Sequence, residues 1–208
     1  MKLRIASLTL LCLALVAVIP ASAQILYKNG NLNGTVDAWT INFGYTVSDT
    51  FSLSSNSTVG SFYLDVWEFP GDTVLTVDWS ITSQEFGGTT YGSGTSRVTD
   101  SFISVNQYGY DIDHISAPDV CCFPLGPGTY WLNLQNAVTA QGNPLYWDEN
   151  SGPSQASESA LGTIPSESFE IVGSSGSSSS GQTPEPTSIM LFGSGILGLA
   201  GVLRRKLF

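Results

Sequence analysis

Apolar residues along this chain recur at every second position. Ile41, Phe43, Tyr45 and Val47 alternate with polar or small residues, and so do Leu75, Val77, Trp79 and Ile81 in TVLTVDWSIT. Period two is the signature of a strand with one buried face. Further strands are expected in TFSLSS (Phe51, Leu53), SFYLDVWEF (Phe62, Leu64, Val66), SFISV (Phe102, Ile103, Val105), YGYDI, GTYWLNLQNA and ESFEIV. Turn chemistry separates them at Asn29-Gly30, Pro70-Gly71-Asp72, Gly87-Gly88, Gly126-Pro127-Gly128 and Gly142-Asn143-Pro144. Roughly eight to ten short strands at this spacing predict an all-β fold, an antiparallel β-sandwich of jelly-roll-like type. No internal repeat points to a propeller or a solenoid.

Both ends of the chain break the pattern. Lys2 and Arg4, the apolar run Ile5 to Ile19 and the small-residue site Ala21-Ser22-Ala23 have the three parts of a secretory signal, so residues 1–23 are expected to be removed by signal peptidase. The alternating region, 24–172, is then the exported domain. Residues 173–183, GSSGSSSSGQT, read as a flexible linker with an end-to-end distance of about 18 Å. Beyond it lie Pro184-Glu185-Pro186, an apolar run from Ile189 to Leu203, and Arg204, Arg205 and Lys206. That run would make a single short transmembrane helix of about 22 Å against a hydrocarbon core of about 30 Å. The basic cluster stops transfer and fixes its end on the cytoplasmic side. Gly193, Gly195, Gly198 and Gly201 leave the helix open to close approach by another.

Loss of both ends changes the electrostatics. The full chain carries −10, but the part between them keeps only Lys28 and Arg97 against sixteen carboxylates, a charge of −14. A surface of that sign repels nucleic acid, whose binding depends on basic patches. It suits divalent cations and neutral polysaccharide. Of three cysteines, Cys12 belongs to the signal, leaving the adjacent pair Cys121 and Cys122. Across a trans peptide their Cα atoms would stand about 3.8 Å apart, short of the usual disulfide range. A redox-sensitive ring, an intermolecular disulfide and a turn without function all remain open for this pair.

Pro184-Glu185-Pro186, the short glycine-rich span and the terminal basic cluster together resemble the PEP-CTERM sorting signal of exported bacterial proteins. The resemblance covers residues 183–208 and implies recognition by an exosortase, an integral membrane enzyme with a cysteine-protease-like active site. Cleavage near the triplet and transfer from a membrane-anchored precursor to the cell surface or matrix of a Gram-negative-type bacterium follow from it. The preceding region, through VSDTFSLSSNSTVGSFYLDVWEFPGDTVLTVDWSIT and GTYWLNLQNAVTAQGNPLYWDENSGPSQASES, resembles ectodomains of the same sorting class. That likeness implies a β-sandwich in an extracellular setting and assigns no catalytic residue.

Candidate chemistry in the exported region is sparse. Its one histidine, His114, lies near Asp111 and Asp113, but no G-x-S-x-G elbow accompanies it, and multi-His zinc motifs are absent. Strand alternation puts His114 on the face of Tyr108, Tyr110 and Ile112. Paired carboxylates could serve a glycan hydrolase, yet no pair stands out. Calcium is the better match to an acidic exported domain. Asp111 and Asp113 have D-x-D spacing, and Asp148, Glu149 and Asn150 read as an acidic loop. For sugar binding, Trp131 falls on the face of Asn133 and Gln135, away from Leu132 and Leu134, and Trp147 precedes the acidic loop with Asn150 at its end. Trp79, with Val77 and Ile81, is expected in the core. The leading expectation is a non-enzymatic surface or matrix protein without a cofactor. A carbohydrate-binding module, calcium-stabilised or not, is the alternative, and a glycan hydrolase with an unidentified site the third.

Overall fold

The computed structural model describes residues 23–174. The expected signal peptide, most of the linker, Pro184-Glu185-Pro186, the short apolar helix and Arg204, Arg205 and Lys206 lie outside the described residues. Strands follow one another along the described chain as β1 (Ile25–Lys28), β2 (Ala38–Thr40), β3 (Thr46–Leu53), β4 (Ser57–Glu68) and β5 (Val74–Gln84). Then come β6 (Gly87–Arg97), β7 (Thr99–Val105), β8 (Asp111–Ala117), β9 (Phe123–Leu125) and β10 (Gly128–Thr139). The last are β11 (Tyr146–Asn150), β12 (Ala156–Glu158), β13 (Gly162–Ile164), β14 (Ser166–Glu167) and β15 (Phe169–Gly173). A single 3-10 turn, Pro118–Val120, is the only helical piece among the described residues.

Every strand pair is antiparallel, and the strands form two sheets packed as a sandwich. One sheet, of six strands, runs β13-β12-β3-β10-β5-β6. The other, of nine, is organised around the long β4, which pairs with β8, β9, β11 and β15, while β7 extends it beyond β8. The chain passes between sheets repeatedly, so that β10 comes to lie between β3 and β5. Sequence alternation explains the core that results. Phe62, Leu64 and Val66 of β4 face Val77, Trp79 and Ile81 of β5 and Leu132 and Leu134 of β10 across the interior. With Phe51, Trp147, Phe169 and Ile171 they bury essentially all of their side chains.

Several elements differ from what the pattern predicts. Ile41 and Val47 are buried, but Phe43 and Tyr45 are exposed, because a turn at Asn42-Phe43-Gly44 interrupts the expected strand. Phe43 and Gly44 both have positive φ there, and Tyr45 N–H closes the turn on the Asn42 carbonyl. Leu75 is exposed and its neighbour Val74 is buried, a reversal of parity where β10 bulges at Asn136 and shifts register against β5. YGYDI is a hairpin turn up to Tyr110. Asn106 Oδ1 accepts the Tyr108 and Tyr110 N–H groups, and β8 starts only at Asp111. The Gly- and Ser-rich β6 has no apolar alternation to announce it. It pairs with β5 alone and needs Gly92, where a Cβ would stand 2.7 Å from the Phe123 ring.

The apolar row of β4 should dominate stability. Leu64→Ala is expected to lower the free energy of unfolding by about 2–5 kcal/mol, measured by denaturant titration. A loss below about 1 kcal/mol would contradict its place at the centre of the core.

Candidate functional site

The acidic segment 148–150 is not a loop. It is most of β11, inserted between β2 on one side and β4 and β14 on the other. Asp148 is wholly buried, and N–H donors satisfy both of its oxygens. Oδ1 accepts from Gly34 N–H and Trp67 Nε1–H, each at 2.7 Å, and Oδ2 from Asn33 N–H at 2.8 Å. Burial nevertheless pushes Asp148 up to about 6, against the opposing pull of those three donors. Glu149 accepts from Trp39 Nε1–H at 3.0 Å. Asn150 donates to the carbonyls of Asn29 and Asn31 and accepts from Gly152 N–H and Ser166 Oγ–H. Gly30 and Gly152 are tight against this amide, where a Cβ on Gly30 would come within 2.8 Å of Nδ2. These three residues tie the 29–37 segment to the sheet. Asp148 and Asn150, expected as calcium or sugar ligands in a loop, are thus engaged inside the fold, where a ligand would have to displace donors already in place, and Glu149 is tied to Trp39 through one oxygen.

Both tryptophan candidates can be placed. Trp147 is not an exposed ring. It is fully buried edge-on to Phe169, and its Nε1–H donates to the Ser168 carbonyl at 2.8 Å. Trp131 is half-buried on the outward face of β10, opposite Thr50 of β3 and Thr82 of β5. A separate open pocket of about 290 Å³ lies beside β6, floored by Gly92 and Gly94 and bounded by Tyr91, Phe123 and the Cys121-Cys122 pair. The two cysteines are joined to each other, and the peptide bond between them is cis rather than trans. Phe123 stacks on Trp79 behind them.

His114 meets a partner that sequence proximity did not suggest. Its Nδ1 pairs with Asp65 Oδ1 at 2.8 Å, its ring stacks on Tyr63, and Ser168 Oγ–H donates to Asp65 Oδ2. The Asp65 hydrogen bond raises the His114 pKa above its ordinary value. A nucleophilic triad needs histidine between serine and carboxylate, because the imidazole must take the hydroxyl proton. Here the carboxylate is in the middle, so it accepts from both and activates neither. Lys28, ion-paired to Glu170 at 2.6 Å, lines a second pocket together with Tyr63, Asp65, His114 and Ser168.

Asp111 and Asp113 share a strand face but not a function. Asp111 Oδ2 accepts from Gly71 N–H at 2.9 Å and so holds the β4–β5 turn. Asp113 instead joins Glu68 and Asp100, with one ligating oxygen of each residue within 4.8 Å of those of the other two. Glu68 is 1% exposed, and both of its oxygens are buried without a hydrogen-bond partner, as is Asp100 Oδ1. Burial first, then the charges of Asp100 and Asp113, push Glu68 up to about 9, and burial pushes Asp113 up to about 6. Sequence reading missed Glu68 and Asp100, yet a signal was present. Glu68 continues the inward parity of Phe62, Leu64 and Val66, a carboxylate where the pattern calls for an apolar side chain. Asp49, in register with Val47, Phe51 and Leu53 of β3, has the same signature. It accepts from Asn29 Nδ2–H, Glu167 N–H and Thr50 N–H.

Residues 182–206 match the protein family described as the PEP-CTERM protein-sorting motif. No curated protein is significantly similar to the chain. The motif marks an exported, cell-surface-directed protein that an exosortase sorts.

Two outcomes follow from the buried acids. Asp148→Ala leaves three N–H groups without an acceptor and should cost about 3 kcal/mol or more, read as a lower denaturation midpoint. The second concerns pH. Asp49 and Asp148 are pushed up to about 6 and Glu167 well above its ordinary range, by burial first and then, for Glu167, by Asp49, Glu149, Asp148 and Asp37. In the unfolded chain the same groups titrate near 4. Between that value and their folded values the native state holds protons that the unfolded chain has released, so stability falls as pH rises through this window. His114, also raised, acts with the same sign. In chelator-treated protein the Tm should therefore be higher at pH 5 than at pH 8, and a Tm that climbs with pH would refute the assignment.

Proposed function

We propose that this chain is a non-enzymatic component of the cell surface or extracellular matrix, released from a membrane-anchored precursor by exosortase processing at Pro184-Glu185-Pro186. The observation that carries the reading is how the sandwich uses its polar residues. Asp148, Glu149, Asn150, Asp49 and Asp111 all accept from or donate to the protein's own backbone and side chains. The single histidine of the exported domain is locked to Asp65 in an order unsuited to activating Ser168. Such a domain supports the role of a rigid, acidic body, which is what a displayed surface component requires. Signal peptidase at Ala21-Ser22-Ala23 and the exosortase are the processing partners in this reading.

A second reading is supported by the aromatic groups that remain accessible. Trp131 on the outer face of β10, and Tyr91 at the glycine-floored pocket beside Phe123, offer flat surfaces on which a neutral sugar ring can stack. Under this reading the domain holds surface polysaccharide without cleaving it.

Processing is tested with a C-terminal epitope tag in cells with and without the exosortase. Loss of the tag only when the enzyme is present is expected, together with retention of the full chain when Pro184-Glu185-Pro186 is replaced by alanines. A tag kept in both strains would refute removal of the tail. The polysaccharide reading predicts saturable glycan binding by the purified chain that Trp131→Ala or Tyr91→Ala weakens about tenfold or more. Release of reducing ends from any bound glycan would refute the non-enzymatic assignment.

A further inference from the structure

The inner face of the sandwich ends, at one edge, in carboxylates. β4 runs Phe62, Leu64, Val66 into the core and then presents Glu68 in the same parity. β8 does the same with Ala117, Ile115 and Asp113, and β7 adds Asp100, which lies opposite Ile115 and reaches across to Val74 N–H of β5. Asp72 and Asp111 flank the group, but both oxygens of Asp72 are engaged, by Thr73 N–H, Gln141 N–H and Asn143 Nδ2–H, and Asp111 Oδ2 is held by Gly71 N–H. Glu68 differs from both. It is buried, neither oxygen meets an N–H or hydroxyl donor, and it faces only two further carboxyl groups, one of which has an unpartnered buried oxygen of its own.

We propose that Glu68, Asp100 and Asp113 form a binding site for one divalent cation of the calcium type. Three observations converge on that chemistry. First, a cation held at about 2.4 Å by several oxygens places them at most about 4.8 Å apart, and the ligating oxygens of these three residues lie within 4.8 Å of one another. Among the described residues no other set of three does so. Second, a buried carboxylate such as Glu68, with neither an N–H donor nor a basic side chain and with two further acids facing it, is costly unless something positive sits between them. Glu167 is equally buried and unpartnered, but its neighbours Asp49 and Asp148 are held by N–H donors and do not converge with it on one point. Third, the donor set is all oxygen and all carboxylate, which selects hard cations over zinc or copper. Calcium fits better than magnesium because it accepts irregular and bidentate coordination and sheds water readily, as a largely buried site demands.

The site would join three strands. β7 and β8 form the outer hairpin of the nine-stranded sheet, and Glu68 is where β4 gives way to the turn into β5. A bound ion there pins the hairpin to β4 and closes the end of the core. This inference stands apart from the proposed surface role and does not depend on it.

The test is calorimetric titration of calcium chloride into chelator-treated, detergent-solubilised full-length protein, alongside thermal unfolding. One ion per chain is expected, with a Tm rise of about 5–10 °C at calcium a hundredfold above Kd. Magnesium should bind at least about tenfold more weakly. Glu68→Gln should reduce calcium affinity by about tenfold or more, and Asp119→Asn, on the exposed 3-10 turn, should leave it unchanged. Should Glu68→Gln fail to fold, Asp100→Asn, at a half-buried position, takes its place. Absence of saturable calcium binding in folded protein would overturn the proposal, since the three carboxylates would then be neutralised by protons alone. So would Glu68→Gln and Asp100→Asn variants that bind as tightly as the parent, because the ions would then be associating with the acidic surface at large. Equal affinity for magnesium would overturn the choice of calcium.

Discussion

A carboxylate taken out of water must be met by a cation, by enough N–H donors, or by a proton, and this domain contains almost no cations. Between the two terminal signals only Lys28 and Arg97 are basic, against sixteen acids. Yet Asp49, Glu68, Asp113, Asp148, Glu149, Glu158 and Glu167 are all buried. The architecture is shaped by how each is satisfied. Asp148 draws in a loop backbone and the Trp67 indole, Asp49 draws in Asn29 and β14, and Glu158 caps its own turn through Ala160 and Leu161 N–H. Hydrogen bonds to charged groups are worth about 1.5–3 kcal/mol each, so these acids hold irregular segments that an apolar core would leave loose.

The same constraint separates structure from opportunity. Where donors converge, both oxygens of the carboxylate are already engaged, as at Asp148 of β11. Where donors are missing, as at Glu68, burial and neighbouring acids push the carboxyl group toward its protonated form instead. Function in an acidic, cation-poor domain is therefore best sought at the unsaturated carboxylates and at the accessible aromatic rings.

Much of the sandwich was legible in the sequence because strand parity is local. Phe62, Leu64 and Val66, and Val77, Trp79 and Ile81, are core residues where alternation puts them. The failures have equally physical causes. Asn42-Phe43-Gly44 and Asn106 form turns through single side-chain and positive-φ geometries that leave the alternation of apolar letters intact. β6 is a strand because β5 offers it a hydrogen-bonding edge, which its own Gly, Ser and Thr residues do not disclose. The segment WDEN reads as a solvated loop by composition and is instead a buried strand, since the N–H groups that stabilise its acids come from residues 33, 34 and 39.

The sequence by itself determined the destination and the layer architecture: a sorting motif is a contiguous string read by another protein, and period-two alternation follows from backbone geometry. Only the tertiary structure decided which carboxylates are spent and which are left open. Asp148, after Trp147, and Glu68, between Trp67 and Phe69, are both acids beside an aromatic residue, and nothing in their neighbours says which one will be met by donors. What separates them is the set of donors that strands and loops distant in sequence bring within hydrogen-bonding reach, and that set exists only once the sheets have packed.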